Sequence, residues 1–507
     1  MMLDETTAQA RRILSATQRF GGPVDAGSLL SVANEADQHW EADPEKHRIS
    51  MRALDLLIEG ELLIPDQNGY TYSLSARGKE ATFLEDSAVF SGAWFDAWVA
   101  SESIVEALRN QRSSSETIIT KLAVENWRQF VSVDLLFHPR LTILTGANGA
   151  GKTTLLNLLS PHFEWSAQLL TRQLPNEETV NVAHTIGKIS YSNGATSSLV
   201  QSVSAGISNM PVAITQMQHV PGIFVSSHRS ISSYQQLQAL PARFSEWESL
   251  RQQFTSEVQA RYFGGNTGAS PLYRMKEALV AAAMHAYGNK AVRPNDSARE
   301  LWEGYQDVLR NFLPPSLQFE RFEVEDSEIV MVTKVAEFPL EAVSGGISAM
   351  LELSWQIYLR RGSQSAFTVC IDEPENHLHP ELQRSIIPSL LKGFPDVTFI
   401  VATHSPFVVT STTDAFVYAL GTNERGQVVS RRVTNIDSAS TPDETLMSVL
   451  GLDSTLPLWA EDKLSALLEA LPAAPTTEEL RDLRDQMVAL GLDRQFPDAI
   501  QSIGPSE

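Results

Sequence analysis

The stretch "LTILTGANGAGKTTLLNLL", Leu141 to Leu159, leaves little freedom to the chain around it. An apolar strand pattern at Leu141 to Leu144 runs into Gly146, Ala147, Asn148, Gly149, Ala150, Gly151, Lys152 and Thr153, and an amphipathic helix follows. This is G-x-x-x-x-G-K-[ST] in the strand–loop–helix context that the motif requires. Glycines let backbone N–H groups wrap a phosphate without Cβ clashes. The helix N-terminus adds the positive end of its dipole. Lys152 is expected to reach the β- and γ-phosphates, the Thr153 hydroxyl to bind Mg²⁺, and Thr154 to count with the loop. ATP with Mg²⁺ is the expected ligand.

A second stretch, "AFTVCIDEPENHLHPEL", is a buried-strand pattern that closes on two carboxylates. Asp372 fits the partner of Mg²⁺. Glu373, one residue on, points differently and suits the orienting and polarising of an attacking water. His377 and His379 tempt a zinc reading. Zinc ligands on one helix face are four residues apart, whereas these are two apart and precede a proline that opens a helix. A third strand, "VTFIVATHSPFVV", ends at Thr403-His404-Ser405-Pro406. His404 follows the acidic strand by one helix, so it falls on the same edge of a parallel sheet, within reach of the γ-phosphate or the water.

Around these motifs the chain of 507 residues divides. Residues 1–85 read as three helices and a hairpin turning at Asn68-Gly69, a winged-helix-like α+β unit. Its third helix offers only Arg48 and Arg52 as strong cations, and acids outnumber bases about two to one across the unit. Docking to protein fits it better than attraction to phosphates. Residues 86–116 form a helical linker. Residues 117–435 alternate strands and helices, as an α/β domain does, with a helix-rich insertion at 235–315. Residues 436–507 read as a C-terminal helical region. The formal charge of -22 argues against broad adhesion to DNA or acidic membranes. One cysteine, Cys370, excludes internal disulfides and fits a reducing cytoplasm. No apolar run approaches the roughly 20 residues of a membrane span.

Phosphate loop, acidic strand end and strand-end histidine, in that order, resemble an ABC-type ATPase. The serine–glycine signature of that superfamily has its counterpart in "FPLEAVSGGISAMLELSWQIYLR", where Ser344, Gly345 and Gly346 open a helix. The resemblance implies that this signature meets the γ-phosphate held by another copy, so that two ATP molecules lie in a head-to-tail homodimer or larger assembly. The wording Pro374 to Pro380 is similar to the OLD, RecF and SMC-related branch, especially ATPases of anti-phage systems such as Septu and PARIS. By that resemblance Arg128, in "ENWRQF", approaches the phosphates, and the loop Glu375 to His379 meets its twin across the dimer. The signature departs from the common pattern at Ile347, where relatives carry Glu or Gln. Gln216 and Gln218 lie where a glutamine loop is expected, and each is equally an ordinary polar position. OLD nucleases add a Toprim domain; the tail after Pro406 has no D-x-D, so this chain is not expected to cut nucleic acid itself.

The fold class expected is therefore α/β, an ABC-type P-loop ATPase domain with a helical insertion behind a winged-helix-like unit. Three partners fit the same chemistry. The first is a separate effector, a nuclease or toxin, licensed by an anti-phage ATPase that DNA or a phage protein triggers. The second is duplex DNA, bound by a repair or maintenance ATPase of the RecF/SMC type. The third is a transporter, which the Glu375 to Pro380 wording disfavours.

Overall fold

The segments "FTVCID" and "VTFIVA" are buried at every position, as strands covered on both faces must be. They lie side by side in an 11-stranded sheet. The structure, a computed structural model, describes residues 117–165, 183–202, 212–228, 234–265, 268–362, 366–412, 415–423, 426–433, 458–472 and 475–490, with short stretches and single positions elsewhere. Before residue 117 these include strands β1 (Val24–Asp25), β2 (Leu63–Pro65) and β3 (Thr71–Leu74), an antiparallel sheet in the order β1-β3-β2. The hairpin expected around Asn68-Gly69 is thus β2 paired with β3. Ile13, Leu30 and Leu54, one in each expected helix of that unit, are helical and buried. The rest of the winged-helix-like unit, the 86–116 linker and residues 434–457 and 491–507 lie outside the described residues.

The large sheet takes in β4 (Ile119–Trp127), β5 (Phe130–Leu136) and β6 (Leu141–Gly146), which leads to helix α1 (Lys152–Leu159). It continues with β7 (Ala183–Tyr191), β8 (Thr196–Ser202), β9 (Val212–Thr215) and β10 (Gly222–Val225). Three helices follow: α2 (Trp247–Tyr262), α3 (Pro271–Ala286) and α4 (Asp296–Phe312). A separate antiparallel sheet of β11 (Phe319–Glu325), β12 (Glu328–Thr333) and β13 (Glu337–Pro339) precedes α5 (Gly345–Arg361). Then come β14 (Phe367–Asp372), α6 (Pro380–Gly393), β15 (Val397–Ala402), the single turn α7 (Pro406–Val409), β16 (Phe416–Thr422) and β17 (Val428–Val433). Helices α8 (Leu458–Glu469) and α9 (Thr477–Ala489) close the described chain, the latter opened by a Thr476/Glu479 capping box.

The strand order is β10-β14-β15-β6-β16-β17-β5-β4-β7-β8-β9. The first five strands are parallel, and β4, β5, β7, β8 and β9 form an antiparallel wing. Alternate residues of the parallel strands feed two cores. Ile143, Val369, Ile371, Phe399 and Val401 pack with α2 to α5 on one face. Leu144, Cys370, Ile400 and Ala402 pack with α1 and the wing on the other. The helix-rich insertion expected at 235–315 holds α2, α3 and α4.

Two features depart from the sequence reading. The β11–β13 sheet was not anticipated. The pairings of "AFVYALGTNERGQVVSRRV", within the 117–435 domain, were not anticipated either: β16 pairs with β17 as a hairpin and also with β6, and β17 pairs with β5. Long-range pairing decides which neighbours it takes.

Candidate functional site

Three parallel strands end together at one edge. β6 delivers the phosphate loop, β14 delivers Asp372 and Glu373, and β15, hydrogen-bonded between them, delivers Thr403 and His404. The loop backbone is left-handed at Gly149 and Gly151, with φ of 81° and 93°. At Gly146 a Cβ would lie 2.5 Å from the Leu420 carbonyl oxygen, and at Gly151 it would lie 2.4 Å from Phe130 Cζ. Gly149 faces open space. These contacts separate two costs. Gly146→Ala is expected to lower the unfolding free energy by about 2–4 kcal/mol, through overpacking and backbone strain. Gly149→Ala, with strain alone, should cost about 1 kcal/mol. Equal losses in denaturant titrations would remove the steric distinction.

Helix α1 begins on Gly151 with no side-chain cap and no acid in its first turn, so its first N–H groups face the loop uncompensated. Lys152 is buried, and its Nζ donates to the carbonyls of Gly146 at 2.8 Å and Ala147 at 3.1 Å. Burial pushes its ammonium below the ordinary lysine range, against the pull of Glu373, Asp372 and Glu375. The Thr153 hydroxyl lies 2.9 and 3.1 Å from the two oxygens of Asp372. A hydroxyl beside a carboxylate is the hard-oxygen pair that Mg²⁺ takes from a protein, and the glycine cradle leaves room for phosphate, so these residues fit the expected ligand.

Asp372 is 2% exposed. Burial pushes its carboxyl up to about 6, with Glu373 and Glu375 adding to the rise and Thr153 and Lys152 opposing it. The folded, metal-free protein therefore keeps a proton here that the unfolded chain releases near pH 4. Stability from this group is present below about pH 4 and is lost as pH rises to about 6, on the order of 3 kcal/mol. Cation binding needs the carboxylate, so the gain in nucleotide affinity from added Mg²⁺ should shrink below about pH 6. Affinity titrations at several pH values with and without Mg²⁺ check this; a gain that is constant down to pH 5 would refute it.

Glu373 sits in the left-handed region, φ 50°, and its N–H donates to Ala402 O at 2.8 Å. That bond turns the chain sharply off β14, so Glu373 and Asp372 point differently. Glu373 Oε1 is 3.4 Å from His404 Nδ1. Its Oε2 accepts from Asn376 Nδ2 at 3.0 Å, and the same amide donates to Ser227 O, just past β10, at 2.9 Å. Glu375 lies in the loop between β14 and α6. It is buried inside its own chain, where Oε1 accepts from Thr403 Oγ1 at 2.6 Å and His404 N at 3.2 Å. It thus orders the strand end that carries His404. His377 and His379 are exposed, and His379 caps α6 by accepting from Glu381 N at 3.4 Å.

Asn376 and Ser227 were missed by sequence reasoning. The only signal for Asn376 was its place three residues after Glu373. Ser344 caps α5, accepting from Ile347 N at 3.4 Å, and Ser344 and Gly345 are exposed. A Cβ on Gly346 would lie 3.2 Å from Leu382 Cδ1 and 3.4 Å from His377 O, so the signature abuts the loop before α6. Arg128, φ 52°, turns the chain between β4 and β5 with its guanidinium 4.6 Å from the Trp127 ring centroid. The next residues, Gln129 and Phe130, are those that crowd Gly151. Gln216 and Gln218 lie between β9 and β10, Gln216 exposed and Gln218 accepting from Asn193 Nδ2 at 3.4 Å, beside the antiparallel wing. The carboxyl end of β10, the position nearest Glu373, is occupied by Ser226 and Ser227.

A phosphate loop, an acidic strand end and a histidine strand end on one parallel edge, flanked by an antiparallel wing, define an ABC-type P-loop ATPase fold. The branch it resembles is the OLD, RecF and SMC-related one, that of ATPases in anti-phage systems. A family described as "AAA domain, putative AbiEii toxin, Type IV TA system" matches residues 221–410, and another described as "AAA domain" matches residues 121–161. Among particular proteins, the chain is similar to the Septu protein PtuA of Bacillus thuringiensis, 21% identical over 360 residues, which cover 68% of this chain and 87% of that protein. It is also similar to the Retron Vc95 probable ATPase of Vibrio cholerae, 49% identical over 45 residues, 9% of either chain. Among solved structures, the SMC head domain from Thermotoga maritima aligns with a TM-score of 0.36 at 13% identity, covering 62% of this chain and 98% of that one.

Proposed function

We propose that this chain binds ATP with Mg²⁺, hydrolyses it within a homo-oligomer, and serves as the ATPase component of an anti-phage system that acts through a separate effector, a nuclease or a toxin. The observation that carries the ATPase reading is the convergence of Lys152, Thr153, Asp372, Glu373 and His404 at one sheet edge. The similarity to PtuA supports the defence role.

The residues divide the work. Loop N–H groups from Gly146 to Thr154 and the open end of α1 bind phosphate oxygens. Lys152 leaves its carbonyl partners for the β- and γ-phosphates. Thr153 and Asp372 hold Mg²⁺, which when bound neutralises charge on the phosphate oxygens. Glu373 orients the attacking water and accepts its proton, and His404 holds the water or the γ-phosphate beside it. Asn376 and Glu375 position these two. Arg128 approaches the phosphates from the β4–β5 turn. Ser344, Gly345 and Gly346, at a helix N-terminus where the first two are exposed, close over the nucleotide of a second copy. Opening and closing of that assembly is the signal passed to the effector, with DNA or a phage protein as trigger. The site of action is the cytoplasm, and no helix among the described residues is long and apolar enough to cross a membrane.

The alternative is a DNA repair or maintenance ATPase of the RecF/SMC type. The charge of -22 weighs against it, because phosphate attraction dominates duplex binding. The test is phage plating on cells carrying this chain with its neighbouring genes. Plating should fall by orders of magnitude, and Lys152→Ala should restore it. Unchanged plating across a broad phage panel, with hydrolysis stimulated by duplex DNA, would favour the alternative.

A further inference from the structure

Lys276 has no solvent exposure and sits on the buried stripe of α3 with Leu272, Met275 and Leu279. An ammonium in such a place is costly unless every donor is met and the charge is paired. All three donors are used. Nζ lies 2.5 Å from Glu341 Oε1, 2.7 Å from Glu328 Oε2 and 2.5 Å from Gln235 O. The Tyr234 ring centroid is 5.1 Å away, and its hydroxyl donates to Glu328 Oε1 at 3.1 Å. Burial opposes the charge, but the two carboxylates outweigh it and hold the ammonium above the ordinary lysine range.

The partners come from three places. Glu341 lies in the turn Leu340–Ala342, three residues before Ser344. Glu328 opens β12. Gln235 lies ten residues beyond the end of β10, and its side chain is clamped to the start of α3, donating to Gly268 O and accepting from Ser270 N, both at 2.8 Å. The strand β10 is the one whose following residue Ser227 meets Asn376, the partner of Glu373. One buried ammonium therefore joins the stem of the signature to the segment that leaves the phosphate edge.

We infer that Lys276 is a positioning residue for Ser344: by holding Glu341 it fixes the stem from which the signature projects. This rests on the reading above, in which Ser344 to Gly346 close over a nucleotide held by a second copy. A buried ion pair that serves only the core would affect melting and leave assembly, per folded molecule, unchanged. A positioning residue separates nucleotide affinity from assembly.

The experiment uses the full chain with Glu373→Gln to hold ATP. It measures binding of a fluorescent ATP analogue and ATP-driven association by analytical ultracentrifugation, each well below the melting temperature of the variant. Glu341→Ala and Lys276→Met should bind the analogue within about threefold of the parent, yet associate about tenfold more weakly or worse. Glu341→Gln, which keeps an acceptor for Lys276, should restore association. Should Lys276→Met fold poorly, the Ala and Gln variants at Glu341 carry the test. Ser344→Arg is the control. If it abolishes association while Glu341→Ala leaves it intact, Lys276 does not position the signature. If Ser344→Arg also associates normally, the signature reading falls and this inference falls with it.

Discussion

Lys152→Ala is expected to lower ATP affinity by about a hundredfold or more and to abolish measurable turnover. The size follows from what the lysine balances. Asp372, Glu373 and Glu375 all act on Lys152, so a triphosphate enters a pocket that already holds three carboxyl groups. Without the ammonium, like charges meet within a few ångströms in a partly desolvated site. A charge-assisted bond to phosphate is worth about 1.5–3 kcal/mol, and roughly 2.7 kcal/mol is a hundredfold in affinity. The fold should survive, because alanine removes a buried charge and, of its two carbonyl partners, that of Ala147 lies in an exposed loop. Calorimetric titration with ATP decides it: an affinity within threefold of the parent would mean that the phosphates sit elsewhere.

Glu373→Gln is expected to bind ATP normally and hydrolyse it about 100 to 1,000 times more slowly. Glutamine keeps the shape, and its amide oxygen can still accept from Asn376 Nδ2. It cannot take a proton from water. ATP should then persist on the protein, and the associated state should accumulate. Single-turnover measurements separate chemistry from product release. Parental turnover in this variant would remove Glu373 from the reaction and return attention to His404. The two variants also differ in kind: one loses binding, the other loses only the step after it.

The parts that were legible in sequence are those where one local rule was sufficient. Leu141–Gly146, Phe367–Asp372 and Val397–Ala402 are apolar runs with a functional residue at the end, and parallel strands buried on both faces leave that trace. Helices α2 to α4 showed their stripes. Two were also marked at the start, by the side-chain caps Ser270 and Asn295. What stayed hidden depends on distant partners. Nothing in "AFVYAL" says that it will lie against the phosphate-loop strand. Glu375 reads as one more loop acid until Thr403, 28 positions later, is placed on it. Lys276 interrupts an apolar stripe, which signals that a partner must exist, but Glu328 and Glu341 are two among many acids. The absence of a glutamine at the end of β10 was equally illegible, because the strand itself had to be found first.

The position of β16 has a consequence for how the protein is made. The phosphate-loop strand β6 is flanked by β15 and β16, and both neighbours lie more than 250 residues further along the chain. A ribosome adding about 5–20 residues per second takes roughly 15–50 s to supply them. Through that interval the nascent protein carries its nucleotide motif on a strand with neither edge paired. Until those strands arrive the candidate site is incomplete, and the chain exposes an apolar strand of the kind that chaperones cover.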